Sequence, residues 1–128
     1  MKYVARLLFA VPLVAASLAG ASRLAAAAPQ TIYDGLWNVE IVTLRGDCDH
    51  SLRYAVRIVE GRVLADDQRY QVDGKVAPSG AVRVVVAEAG RSANGVGRLT
   101  RDRGRGQWHT STKECAGEWI AARRVGDN

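Results

Sequence analysis

Ala77-Pro78-Ser79-Gly80-Ala81-Val82-Arg83-Val84-Val85-Val86-Ala87-Glu88-Ala89-Gly90 reads as turn, strand, turn. Val82, Val84 and Val86 alternate with Arg83 and Val85, which sets them on one face of an extended chain. The same period runs through the flanking sequence. Trp37, Val39 and Ile41 alternate with Asn38 and Glu40; Tyr54, Val56 and Ile58 alternate with Arg53, Ala55 and Arg57; Tyr70 and Val72 alternate with Arg69, Gln71 and Asp73. No stretch after residue 30 keeps the i, i+3, i+4, i+7 spacing of a helix.

Turn signals recur at short intervals: Glu60-Gly61, Asp66-Asp67, Ala89-Gly90 and Asp102-Arg103-Gly104. Strands this short, with turns this close, make hairpins and hence an antiparallel meander. About eight strands are expected, over 36–44, 52–59, 62–65, 69–77, 81–88, 91–99, 104–110 and 117–124. An open sheet of that kind exposes two edges, and closure into a small up-and-down β-barrel removes them. Gly-x-Trp occurs at Gly35-Leu36-Trp37, Gly106-Gln107-Trp108 and Gly117-Glu118-Trp119. In such a barrel each glycine either makes room beside an inward indole or marks a bulge, and both readings stay open. Ala93, Gly95, Gly97 and Leu99 add small residues in one phase. Trp37, Tyr54, Tyr70, Trp108 and Trp119 are the expected core, large enough together to fill the interior rather than leave room for a ligand.

The chain has 128 residues, one domain's worth. Residues 1–27 read as a cleavable signal peptide: Lys2 and Arg6 at the start, an uncharged run from Leu7 to Gly20, then small residues. Ala19-Gly20-Ala21 would cut before Ser22 and Ala25-Ala26-Ala27 before Ala28; the second is preferred. The apolar run is short for a spanning helix, so no transmembrane segment is expected after cleavage. Residues 28–34 form a lead-in, 35–124 the barrel domain and 125–128 a tail. The formal charge of +5 falls once the leader is removed: taking Lys2, Arg6 and Arg23 from 18 basic residues leaves 15 against 13 acidic. Export to the periplasm or outside the cell makes Cys48 and Cys115, the two cysteines, a disulfide. In an eight-strand meander they fall in the first and seventh connections, at the same end, and closure brings those loops together.

Four runs resemble a group of short exported bacterial proteins without assigned function, some labelled large exoproteins for haem utilisation or adhesion. They are Arg53-Tyr54-Ala55-Val56-Arg57-Ile58, Gly74 to Val84, Gly95-Val96-Gly97-Arg98-Leu99 and Cys115 to Arg124. The resemblance implies export and a β fold, and carries no functional residues with it. Gly35-Leu36-Trp37 is similar to the first-strand opening of lipocalins and of small periplasmic protease inhibitors. The chain is shorter than a lipocalin, and its cysteines stand further apart than those of the inhibitors.

No catalytic residues are expected. The histidines, His50 and His109, have no nucleophile and orienting acid arranged around them, and there is no G-x-S-x-G elbow. Asp47-Cys48-Asp49-His50 with Glu114 has no recognisable cation-loop spacing, so neither metal nor cofactor is expected. Arg98, Arg101, Arg103 and Arg105 face only Asp102, and from Lys75 to Asn128 the net charge is +5 against −3 for Pro29 to Gly74. These arginines are candidate anion-binding residues, with acidic polysaccharide, lipopolysaccharide or an acidic protein as partners. Nucleic acid is not expected, for want of interleaved aromatics. The sequence thus reads as a non-enzymatic exported binding module, with a protease inhibitor or a small-ligand carrier as alternatives.

Overall fold

A computed structural model of the chain describes residues 10–15, 20 and 31–125. Most of the leader, both cleavage sites, residues 28–30 and the last three residues of the tail lie outside the described residues. Eight strands follow one another: β1 (Gly35–Arg45), β2 (Ser51–Val59), β3 (Arg62–Ala65), β4 (Gln71–Val76), β5 (Ala81–Glu88), β6 (Arg91–Leu99), β7 (Arg103–Thr110) and β8 (Ala116–Arg123). Each pairs antiparallel with the next, and β8 pairs with β1, so the sheet is a closed barrel without an edge. The expected boundaries fall within a residue or two of these. β4 is the largest difference. The Asp67 carboxylate accepts from the backbone N–H and the Nε of Arg69, and that turn keeps Tyr70 out of the ladder.

The alternation of the sequence is the alternation of the wall. Trp37, Val39 and Ile41 of β1, Tyr54, Val56 and Ile58 of β2, and Val82, Val84 and Val86 of β5 all line the interior. Arg53, Arg57, Arg62, Lys75, Arg83, Arg98 and Arg105 are all exposed. Apolar-in and charged-out is the inverse of a membrane-spanning barrel. Among the described residues no helix is long and apolar enough to cross a membrane.

One end is closed by residues 31–34. Tyr33 is buried, its carbonyl accepts from Trp37 Nε1 at 2.8 Å, and its hydroxyl donates to the Pro78 carbonyl. The Asp34 carboxylate takes the backbone N–H groups of Glu60 and Gly61 and the Thr31 hydroxyl. Burial raises its pKa, but those bonds more than offset this and hold it below the usual value. Arg123 clasps the arrangement. Its guanidinium lies over the Trp37 ring, 4.8 Å from the centroid, and donates to the carbonyls of Asp34, Ile32 and Arg101. Gly35 has φ near 133° and a Cβ there would stand 2.9 Å from Arg123 Nη1, so the glycine serves both turn and clasp. Residues 31–34 of the lead-in are therefore the floor of the barrel. Arg123→Met should lower stability by about 2 kcal/mol, since the apolar stem remains but the charged hydrogen bonds and the cation–π contact go. Urea unfolding of the variant measures it; an unchanged midpoint would mean that the clasp contributes nothing.

Candidate functional site

The barrel interior is not filled. A cavity of about 650 Å³ runs from the Trp37 floor to the opposite end, lined mainly by aliphatic and aromatic side chains. The inward residues near its middle show it directly: Val39, Ile41, Val72, Val84 and Ala93 point into the barrel yet are only half-buried. This corrects the expectation that five aromatic rings occupy the space. Trp37, Tyr70, Trp108 and Trp119 are all buried, but the two C-terminal indoles lie along the wall rather than across the bore.

Cross-strand register explains why. Gly106 of β7 stands opposite Trp119 of β8, and Gly117 of β8 stands opposite Trp108 of β7. The Trp119 ring crosses the bare backbone of Gly106 and Gly97 and donates Nε1–H to the Val96 carbonyl of β6 at 3.1 Å. Trp108 donates to the carbonyls of Val42 in β1 and Glu118 in β8, beside the β1 bulge between Thr43 and Arg45. Each buried N–H is thus satisfied by the wall, which fixes the rings flat against it. Gly106 of β7 makes room for the indole of the neighbouring strand, whereas Gly117 of β8 lets the Val42 to Leu44 backbone of β1 approach.

The cavity opens at the end carrying the β1–β2, β5–β6 and β7–β8 connections. Its rim includes Thr43, Asp47, Asp49, Glu88, Arg91 and Asn94. Tyr54 is half-buried there, edge-to-face with Tyr70 at 4.6 Å between centroids. Burial raises the Tyr54 pKa, and the carboxylates of Glu88 and Asp49 and the Tyr70 hydroxyl push it the same way. Burial likewise raises that of Tyr70, whose hydroxyl donates to the Ala55 carbonyl. Cys48 and Cys115 are bonded, with their Cα atoms 6.3 Å apart, so the bridge ties the first connection to the seventh at this rim. Cys48 itself lines the cavity.

Charge separates along the barrel axis. Near the mouth lie the acids Asp47, Asp49, Asp66, Asp67, Glu88 and Glu114 against the cations Arg45, Arg69, Arg91 and Lys113. Near the closed end Arg62, Lys75, Arg83, Arg98, Arg101, Arg103, Arg105, Arg123 and Arg124 outnumber Asp34, Glu60 and Asp102. Arg98, Arg101, Arg103 and Arg105 thus sit outside the barrel, on and beside the β6–β7 hairpin, remote from the cavity mouth. Among the described residues no three His, Cys, Asp or Glu side chains come together as a metal-binding group.

In the sequence Asp47 and Asp49 are weighed as a cation loop rather than as the rim of a cavity, and the open bore is not anticipated there. Ala93 and Gly95 line the bore with little or no side chain and leave the β6 wall thin there, while the Trp119 ring covers Gly97. Comparison with known proteins returns no matching family model, curated protein or solved structure, so the site is read from its own geometry.

Proposed function

We propose that this protein is an exported, non-enzymatic carrier that holds one small, mainly apolar molecule in its barrel. The cavity is the observation that carries the reading. Its volume lies within the roughly 300–1,000 Å³ usual for ligand sites, and it combines an apolar wall with a few polar groups at one mouth. An eight-stranded barrel is the size that either packs full or holds one small ligand. A closed floor and one open mouth suit uptake and release without chemistry. The signal-like leader and the disulfide support a place outside the cytoplasm.

The excess of carboxylates at the rim disfavours anionic head groups, so a neutral dye such as N-phenyl-1-naphthylamine is the suitable test ligand. It should bind one molecule per chain with enhanced emission. Ala93→Trp places an indole in the cavity from its thin wall and should weaken binding at least tenfold, with the unfolding midpoint little changed. Fluorescence titration of both proteins measures this. A wild-type protein that takes up no dye, or a variant that binds as wild type does, would end the reading.

A further inference from the structure

The outer wall carries cations directly opposite one another. Arg62 of β3 stands across from Lys75 of β4, and Lys75 stands across from Arg83 of β5. One hairpin further round, Arg98 of β6 stands across from Arg105 of β7. Like charges in directly opposed positions destabilise a sheet. None of these five is in an ion pair among the described residues, where the pairs are Arg57–Asp66, Arg69–Asp67 and Arg123–Asp102. Of the acids close to them, Asp34 caps the Glu60-Gly61 turn and Asp102 lies beside Arg123, while Asp73, two residues from Lys75 on the same face, stands across from Leu64 and Val85 and makes no ion pair among the described residues. Three like-charged pairs, none of them in an ion pair among the described residues, make a collar around the closed end from β3 to β7, away from the mouth.

We propose that this collar docks the closed end on an anionic lipid surface, with phosphate head groups lying between the opposed cations. Charge complementarity gives the sign of the partner. The side chains between the cations give its kind: Val96, 50% exposed, stands opposite Arg83, and Ile120, 49% exposed, stands opposite Arg105. Aliphatic groups interleaved with guanidinium groups fit the boundary between head groups and acyl chains better than a hydrated polysaccharide. Docked in this way, the barrel keeps its mouth turned away from the lipid.

Sedimentation with vesicles tests it. The full-length mature protein should bind vesicles of phosphatidylcholine with phosphatidylglycerol at least tenfold more tightly than vesicles of phosphatidylcholine alone, and raising the salt should release it. Each charge removed near such a surface costs roughly fivefold, so Arg62→Ser with Lys75→Ser and Arg83→Ser should lose at least tenfold. Arg98→Ser with Arg105→Ser should weaken binding in the same way. Relief of repulsion keeps the unfolding midpoints of both variants at or above wild type, which separates lost docking from lost fold. A control with Arg69, Arg91 and Lys113 changed to Ser at the mouth should bind as wild type does. Equal binding to both vesicle types, equal loss in the mouth control, or binding to soluble alginate with none to vesicles would overturn the proposal.

Discussion

Replacing both Cys48 and Cys115 by Ala is expected to lower the free energy of unfolding by about 4 kcal/mol while leaving the β content of the folded protein unchanged. The bridge joins residues 67 apart in sequence, and the chain-entropy model gives about that figure for a loop of such length. The β ladders do not depend on it, because all eight strand pairings are made elsewhere. A domain of roughly a hundred residues buries only about two-thirds of its unfolded surface, so a loss of that size is a large part of its stability. The rim should respond too. Cys48 lines the cavity and Cys115 is buried under the Gly46 turn, so breaking the bond frees the loop that forms one side of the mouth. Denaturant unfolding with circular dichroism separates the two effects. A change under 1 kcal/mol, or loss of the strand signal in the folded variant, would show that the bridge does something else.

The position of that bridge was readable from sequence because it rests on parity. Cys48 follows the first strand and Cys115 precedes the last, and an even number of alternating strands returns the chain to the same end. The short β3, Arg62–Ala65, is what makes the number even. Strand phase was readable for a similar reason: period two sorts Val82, Val84 and Val86 from Arg83 and Val85 whatever their neighbours are. The cavity was less legible, because it depends on register between strands. Nothing in Gly106-Gln107-Trp108 says that its glycine faces Trp119 rather than Trp108, yet that pairing turns the indole along the wall and leaves the bore open. The collar depends on register as well. Arg98 and Arg105 fall in one arginine-rich run, but Arg62, Lys75 and Arg83 are scattered until pairing sets them side by side. Arg123, at the end of the chain, gave no local sign that it would hold the floor.

Gly106→Ala is expected to cost about 3 kcal/mol, the upper end for adding a methyl group to a packed interior. A Cβ at this position would stand 2.0 Å from the Val96 carbonyl oxygen and 2.6 Å from the Trp119 ring. The carbonyl is backbone in a paired strand, so it cannot turn aside as a side chain would. Strain in φ is not the cause, because Gly106 is not among the positive-φ glycines. The methyl group also displaces the indole whose N–H the same carbonyl accepts, leaving that donor without its partner in the wall. Trp119→Ala alone should cost a further-ranging 3–5 kcal/mol, as buried tryptophans do. The two effects share one contact, so they should not add. The double variant should be more stable than the sum of the single losses predicts by at least 1 kcal/mol, because a methyl group cannot expel a ring that is already gone. A double-mutant cycle by denaturant unfolding measures the coupling. Simple additivity would mean that the glycine is needed for strand approach alone and that the indole's course along the wall is set by something other than the gap at Gly106.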